Sequence, residues 1–378
     1  MQISESSWVI SNVIMERIVK KRILGIKPYQ PGKPIKEVQR ELGLKDVIKL
    51  ASNENPYGPS PMVLKTIQKE AKSINRYPDG GCFYLRAELA KKLKVKKNQL
   101  IFGNGSDEII ICALRAFVSE GDEVIIAKPS FLMYGISSQV VGATIKAVPL
   151  LKDFRYDLSK MLKSVSMKTK LIFIGNPDNP SGQYVSQSQL ATFLKILRKD
   201  VLVFMDEAYF EYVRAKDYPN TLKLLKKHKN LIVARTFSKI YGLAGLRVGY
   251  AVADKKIIDI LNRIREPFNV NSLAQAAAIA CLKDQKYYRS ISKKIEQQRQ
   301  FLYKNLMSLK SEFVRTYTNF ILIKVNKNSS SVVKQLMKEG IIVRDMAAWG
   351  LNTFIRVTIG TAQENQRFIK TLKKVMKR

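Results

Sequence analysis

Histidine occurs once in this 378-residue chain, at His228, and cysteine three times, at Cys82, Cys112 and Cys281. A single imidazole, with no C-x-x-C pair, excludes a zinc-type centre, and no metal is expected. Three widely spaced cysteines exclude a disulfide framework and fit reduced, mostly buried thiols. Long apolar runs are missing as well: none approaches the ~20 residues that a membrane helix needs. The N-terminus, "MQISESSWVISNVIMER", lacks the basic start and long apolar region of a secretory signal. A cytoplasmic protein with no membrane partner is expected. Acidic residues are scarce, 31 against 66 Lys plus Arg, which leaves a net charge of +35. That balance suggests nucleic acid or an anionic surface. Yet the basic residues interleave with apolar ones in "KKLKVKK" and "LKLLKKHK", as on solvated faces of amphipathic helices, and no basic tail or zinc knuckle is present. The charge is read as a lysine-rich surface, with no nucleic-acid partner.

With 46% hydrophobic residues the chain can bury a large core, and it exceeds the roughly 250 to 300 residues at which single cores stop growing, so two lobes are expected. From about residue 100, short β-type runs alternate with helical stretches: "LIFG", "EVIIA", "TIKAVPL", "KLIFIG", "VLVFMDEAY", "LIVART" and "RVGYAVA". This alternation predicts an open α/β sheet with helices on both faces. Beyond it, a long helical region from about Ser272 to Leu309 precedes "FILIKV", "IIVRDM", "FIRVTIG" and a terminal helix, which reads as a smaller α+β lobe. The predicted division is an N-terminal extension and arm over 1–45, a large domain over 46–265 and a small one over 266–378.

In open α/β sheets, ligands bind beyond the carboxyl ends of the strands. Here four strands end in polar, glycine- or proline-marked turns: "GNGSDE", "GNPDNPSG", "DEAY" and "RTFSK". The first opens a helical pattern and suits either a phosphate at a helix N-terminus or an ordinary cap. Asp206 closes an apolar strand, where its carboxylate needs a cation partner or serves as a turn cap. Lys239 is either a surface lysine or, held out of water, a nucleophile that forms Schiff bases with carbonyls. Thr236, Ser238 and Arg247 around it suit a phosphate. A phosphate cradle, a carboxylate for a pyridinium nitrogen and a covalent tether are together what pyridoxal phosphate demands of a protein.

"SNENPYGPS", "RYPDG", "GNGSDE", "NPDNPSG", "DEAYFEY", "TFSKIYGLAGLRVGY", "REPFNVNSLAQ" and "FIRVTIGT" resemble the successive motifs of the histidinol-phosphate aminotransferases, a branch of the fold type I pyridoxal-phosphate enzymes. The resemblance implies a doubly wound, mostly parallel large domain plus a smaller α+β domain. It implies Lys239 as Schiff-base lysine and proton shuttle, and Asp206 as partner of the ring nitrogen. Asn179 and Tyr209 would bond the ring hydroxyl, and Phe131 would stack on the ring. Family members often carry tyrosine at the last position, so a polar handle is lost here. Ser106 and Asp107 would offer backbone amides to the phosphate, with Thr236, Ser238 and Arg247 completing its shell. Tyr57 would reach the neighbouring subunit's cofactor, which implies a homodimer with shared sites. Arg344 and Arg356 resemble the family's substrate arginines, Asn179 would also face substrate, and Tyr29 would cover it. An edge-strand solubility role is the alternative for each arginine.

The pattern starts near Met15, which leaves residues 1–14 as an extension, expected to come from an upstream start codon. The implied reaction passes an amino group between glutamate and imidazole-acetol phosphate, in histidine biosynthesis. Three alternatives share parts of the pattern: an aromatic or broad-specificity aminotransferase, to which "AAWG" at Trp349 would offer a pocket; a phosphoamino-acid decarboxylase; and a non-catalytic nucleic-acid-binding protein.

Overall fold

The computed structural model describes residues 17–377. Met15 and the extension over 1–14 lie outside the described residues. Seven strands build the larger sheet: β2 (Leu100–Gly103), β3 (Glu123–Lys128), β4 (Thr144–Pro149), β5 (Thr169–Gly175), β6 (Leu202–Asp206), β7 (Leu231–Thr236) and β8 (Gly249–Ala253). Their order is β2-β8-β7-β6-β5-β3-β4, and within this sheet only β8 runs antiparallel to its neighbours. Each of the seven runs singled out in the sequence is one of these strands.

The central strands are apolar throughout because both faces are covered. In β5, Leu171 and Phe173 enter one core while Ile172 and Ile174 enter the other. Helices Ser106–Phe117 and Lys255–Asn262 supply Ile109, Ile110, Ile257 and Ile258 to the first. Phe83–Leu93, Gln187–Ile196 and Ser272–Lys283 close the second with Leu85, Leu89, Leu190, Phe193 and Ala277. The sheet is therefore doubly wound, as the α/β pattern predicts. The three cysteines are buried and free, and burial pushes the Cys82 and Cys112 thiols up to about 11.

The smaller sheet contains β1 (Ile48–Leu50), β9 (Phe313–Val314), β10 (Phe320–Lys324), β11 (Ile341–Asp345) and β12 (Phe354–Thr358), in the order β1-β11-β12-β10-β9. β1 falls within the stretch the sequence assigns to the larger lobe, yet it pairs in parallel with Ile341–Val343 of the smaller sheet. Three residues are too few to show which sheet a strand will join. The long helical region also divides, at Asp284. There the backbone leaves the helix, and the carboxylate accepts from Tyr287 N at 3.4 Å as the cap of a second helix, Gln285–Ser308.

Candidate active site

The carboxyl ends of β2, β3, β5, β6 and β7 share one edge of the sheet, and antiparallel β8 begins there. One pocket at this edge is lined by Ser106, Asp107, Phe131, Asn179, Asp206, Tyr209, Thr236, Ser238, Lys239 and Arg247. These are all the cofactor-binding candidates except Tyr57, whose backbone oxygen instead accepts from Tyr287 and whose ring lies under Lys294. Tyr134, Gly175, Pro177 and Ala208 complete the lining.

Part of the pocket lining forms an anion cradle. Helix Ser106–Phe117 opens after Gly105, whose φ of 78° a side chain rarely adopts, and no side chain caps its first N–H groups. A Cβ on Gly105 would strike the Arg247 guanidinium, and one on Gly249 would lie 2.8 Å from Gly105 C, against the Ser106 amide. The cradle therefore closes only on glycine. Arg247 reaches Ser238 Oγ at 3.4 Å and Asp107 Oδ2 at 3.2 Å, and the Ser238 amide donates to Thr236 Oγ1 at 3.1 Å. Uncapped amides, two hydroxyls and a guanidinium suit a phosphate dianion.

Asp206 also lines the pocket, buried at the close of β6. Its Oδ2 accepts from the Tyr134 hydroxyl at 2.8 Å and its Oδ1 from Ala208 N at 3.1 Å. Burial pushes its pKa up to about 6, and those two hydrogen bonds act against the rise. Half-buried Lys239 places its ammonium 5.5 Å from the centre of the Tyr209 ring.

Proton bookkeeping orients two further groups. Arg356 Nη1 can only donate, and it lies 2.5 Å from Asn179 Oδ1, so the Asn179 amide nitrogen is left to donate into the pocket. The Asn53 side-chain nitrogen donates to the Tyr209 hydroxyl at 2.9 Å, which frees the Tyr209 proton for another acceptor. Asn53 was missed in the sequence. It is buried at φ 56°, donates from its backbone to Thr358 Oγ1 at 2.9 Å and accepts from Asn319, so it ties Tyr209 to the smaller sheet. Only tertiary structure brings those partners together.

Arg344 and Arg356 stand opposite each other on β11 and β12, both buried, and among the described residues neither has a carboxylate partner. Arg344 donates to Gln30 O at 2.6 Å and lies over the rings of Tyr29 and Trp349. Arg356 donates to Ala51 O at 3.1 Å as well as to Asn179, and among the described residues the Nε of each arginine has no acceptor. Burial holds the Arg356 pKa down at about 10, and Arg344 adds to that effect. Two buried, unpaired guanidiniums are costly unless an anion joins them. Edge-strand solubility does not describe either residue, since β11 and β12 are internal strands of their sheet.

A larger cavity, about 880 Å³, opens behind the same loops and is lined by Phe210, Glu211, Arg235, Phe237 and Tyr241. None of the strand-end candidates lines it, so the chemistry is placed in the smaller pocket. Among the described residues no group of three or more His, Cys, Asp or Glu side chains is arranged to hold a metal ion, and no helix is long and apolar enough to cross a membrane.

Comparison with known proteins identifies the family. The family model for aminotransferase class I and II matches residues 45–372. The chain belongs to that family. It is an aminotransferase with the α/β fold of fold type I, as its motifs imply. The histidinol-phosphate aminotransferase of Moorella thermoacetica is 48% identical over 358 residues, 94% of this chain and 92% of the relative. That of Caldicellulosiruptor saccharolyticus is 46% identical over 351 residues, covering 93% and 98%. The crystal structure of the Sinorhizobium meliloti histidinol-phosphate aminotransferase in complex with pyridoxal-5'-phosphate superimposes with a TM-score of 0.88, at 28% identity, covering 95% of this chain and 98% of that one.

The buried carboxylate makes a pH prediction for the ligand-free aminotransferase. A carboxyl whose pKa is raised on folding binds its proton more tightly in the fold, so the unfolded chain holds fewer protons and stability falls as pH rises. Between about pH 4 and pH 6, Asp206 should remove up to roughly 3 kcal/mol. Denaturant titrations of wild type and Asp206→Asn across that window check this. The variant should lose less stability with rising pH, and parallel curves would refute the assignment.

Proposed function

We propose that this aminotransferase uses pyridoxal 5'-phosphate to move an amino group between glutamate and imidazole-acetol phosphate, yielding 2-oxoglutarate and histidinol phosphate, in histidine biosynthesis. The observation that carries the proposal is the pair of buried arginines without a carboxylate partner among the described residues, neither of which lines the pocket itself but one of which, Arg356, bonds its lining residue Asn179: both substrates are anions, one a dicarboxylate and one a phosphate ester, and a guanidinium fork matches either. Relatives named for this reaction, at 48% and 46% identity, support it.

When bound, the cofactor supplies an electron sink and carries the amino group. The residues present fit it. Ser106 and Asp107 amides, Thr236, Ser238 and Arg247 would hold its phosphate, and Phe131 would face its ring. Asp206 would hold the ring nitrogen in its protonated form. Asn179 and Tyr209 would donate to the ring oxygen with the protons that their own partners leave free. Lys239 would be the covalent anchor and the base that moves the proton at the substrate α-carbon. Arg344 and Arg356 orient the substrate anions, and Tyr29, beside Arg344, shields them from water.

The same reading makes the protein a cytoplasmic homodimer, with residues 46–265 as the cofactor-binding domain, 266–378 as the small one and 1–45 as an arm, except that β1 joins the smaller sheet and helix Ser272–Lys283 packs with the larger one. Tyr57 lies outside the pocket of its own chain, as a residue serving a partner's site would. Tyr77 is 83% exposed and stacks on Phe268, itself 46% exposed, with a ring separation of 4.7 Å. Such an exposed aromatic pair calls for a cover.

Single half-reactions followed by visible absorption test the substrate. Histidinol phosphate should bleach the yellow holoenzyme rapidly, with phenylalanine much slower. Equal or faster bleaching by phenylalanine would move the enzyme to the aromatic or broad-specificity class.

A further inference from the structure

Among the described residues, Asp206 receives its one side-chain hydrogen bond from a residue that no motif singles out. Tyr134 lies in helix Leu132–Val140, three residues beyond Phe131, and is 2% exposed. Its hydroxyl is 2.8 Å from Asp206 Oδ2. Its ring stacks on Phe173 with centroids 4.6 Å apart and planes 5° apart, and meets Phe131 edge to face at 5.5 Å and 85°. A buried tyrosine hydroxyl needs a partner, and here the partner is the carboxylate that faces the pocket.

Three consequences follow from that geometry. Bonds to Oδ1 from Ala208 N and to Oδ2 from Tyr134 fix the carboxylate plane while leaving each oxygen further acceptor capacity on the pocket side. A hydroxyl that donates to a carboxylate favours its charged form against the cost of burial. The stack on Phe173 prevents the hydroxyl from swinging away, and the edge contact holds the Phe131 ring. The other charged or titratable groups facing Asp206 are Asp107 at the start of its helix, Lys239 in the loop after β7, and Tyr156. Asp107 opposes the ionised form and Lys239 supports it.

We propose that Tyr134 is a positioning residue of the amino-transfer site: its hydroxyl orients Asp206 toward the cofactor ring nitrogen and keeps it charged, and its ring edge sets the plane of Phe131. This inference rests on the pyridoxal-phosphate reading above. Tyr134→Phe keeps the ring and its stack and removes only the donor. Two properties of the holoenzyme are compared with wild type: the dissociation constant for pyridoxal phosphate, and the acid limb of the pH profile of a single half-reaction.

Tyr134→Phe should weaken cofactor binding about tenfold and move the acid limb up by about one pH unit, since one lost charge-assisted hydrogen bond is worth about a decade. In an Asp206→Asn background the same change should have no further effect on affinity. Tyr134→His, which returns a donor on a ring, should recover most of the affinity and bring the acid limb back. Unchanged affinity and limb in Tyr134→Phe would overturn the inference, as would a loss of affinity that persists undiminished on Asp206→Asn, or no recovery in Tyr134→His. If wild type itself bound no pyridoxal phosphate, the functional reading would fall and this inference with it. Wild-type binding with an unaltered Tyr134→Phe overturns this inference alone.

Discussion

Lys239→Ala is expected to abolish transamination, with the rate falling on the order of 10⁴-fold, the upper end of what a positioned acid–base group contributes. The expectation follows from position. Lys239 is the amine in the wall of the pocket that Asp206 and the phosphate cradle also line, and it lies beside the Tyr209 ring. Its removal leaves the cradle amides, Thr236, Ser238 and Arg247 untouched, so the cofactor should remain bound through its phosphate. The variant should therefore retain the cofactor through ultrafiltration, lack the wild-type visible band and turn over neither substrate. Full turnover would refute the assignment. Loss of the cofactor together with activity would show that the phosphate cradle is too weak to hold it unaided.

Arg356→Ala should lower kcat/KM for both glutamate and the phosphate ester, by roughly 10² to 10⁴-fold. Charge-assisted hydrogen bonds are worth about 1.5 to 3 kcal/mol each, and a bidentate pair loses two. Stability should behave differently from activity. The guanidinium is buried, unpaired and held at a lowered pKa, so its removal relieves a desolvation cost, and the thermal midpoint should stay level or rise. Steady-state kinetics with each substrate, beside a melting curve, separates the two effects. An unchanged rate with either substrate would remove the dual-anion role.

Strand-end logic located most of this site in advance, because a strand of five to seven apolar residues displays its nature locally and the turn after it must be polar. Asp206 after "VLVFM" and Lys239 after "LIVARTFS" are legible for that reason. Tyr134 and Asn53 were not. Tyr134 sits in a helix as any core aromatic would, and its partner is 72 residues away. Asn53 gains its role from Tyr209 and Thr358, 156 and 305 residues distant. The break at Asp284 was hidden because flanking helical periodicity continues across it. The two shortest strands, β1 and β9, carry too few residues to show alternation.

By itself, then, the sequence determined the seven-stranded α/β core, the polar turns at one edge and the motif order that marks an aminotransferase, because each of these is written in local periodicity and in residues close along the chain. Only the tertiary structure decided that β1 joins the smaller sheet, that Arg344 and Arg356 stand together without a carboxylate among the described residues, and that Tyr134 and Asn53 donate to Asp206 and Tyr209. Those facts depend on which distant groups share a buried space, and burial is what turns a hydrogen bond or a missing counter-ion into chemistry.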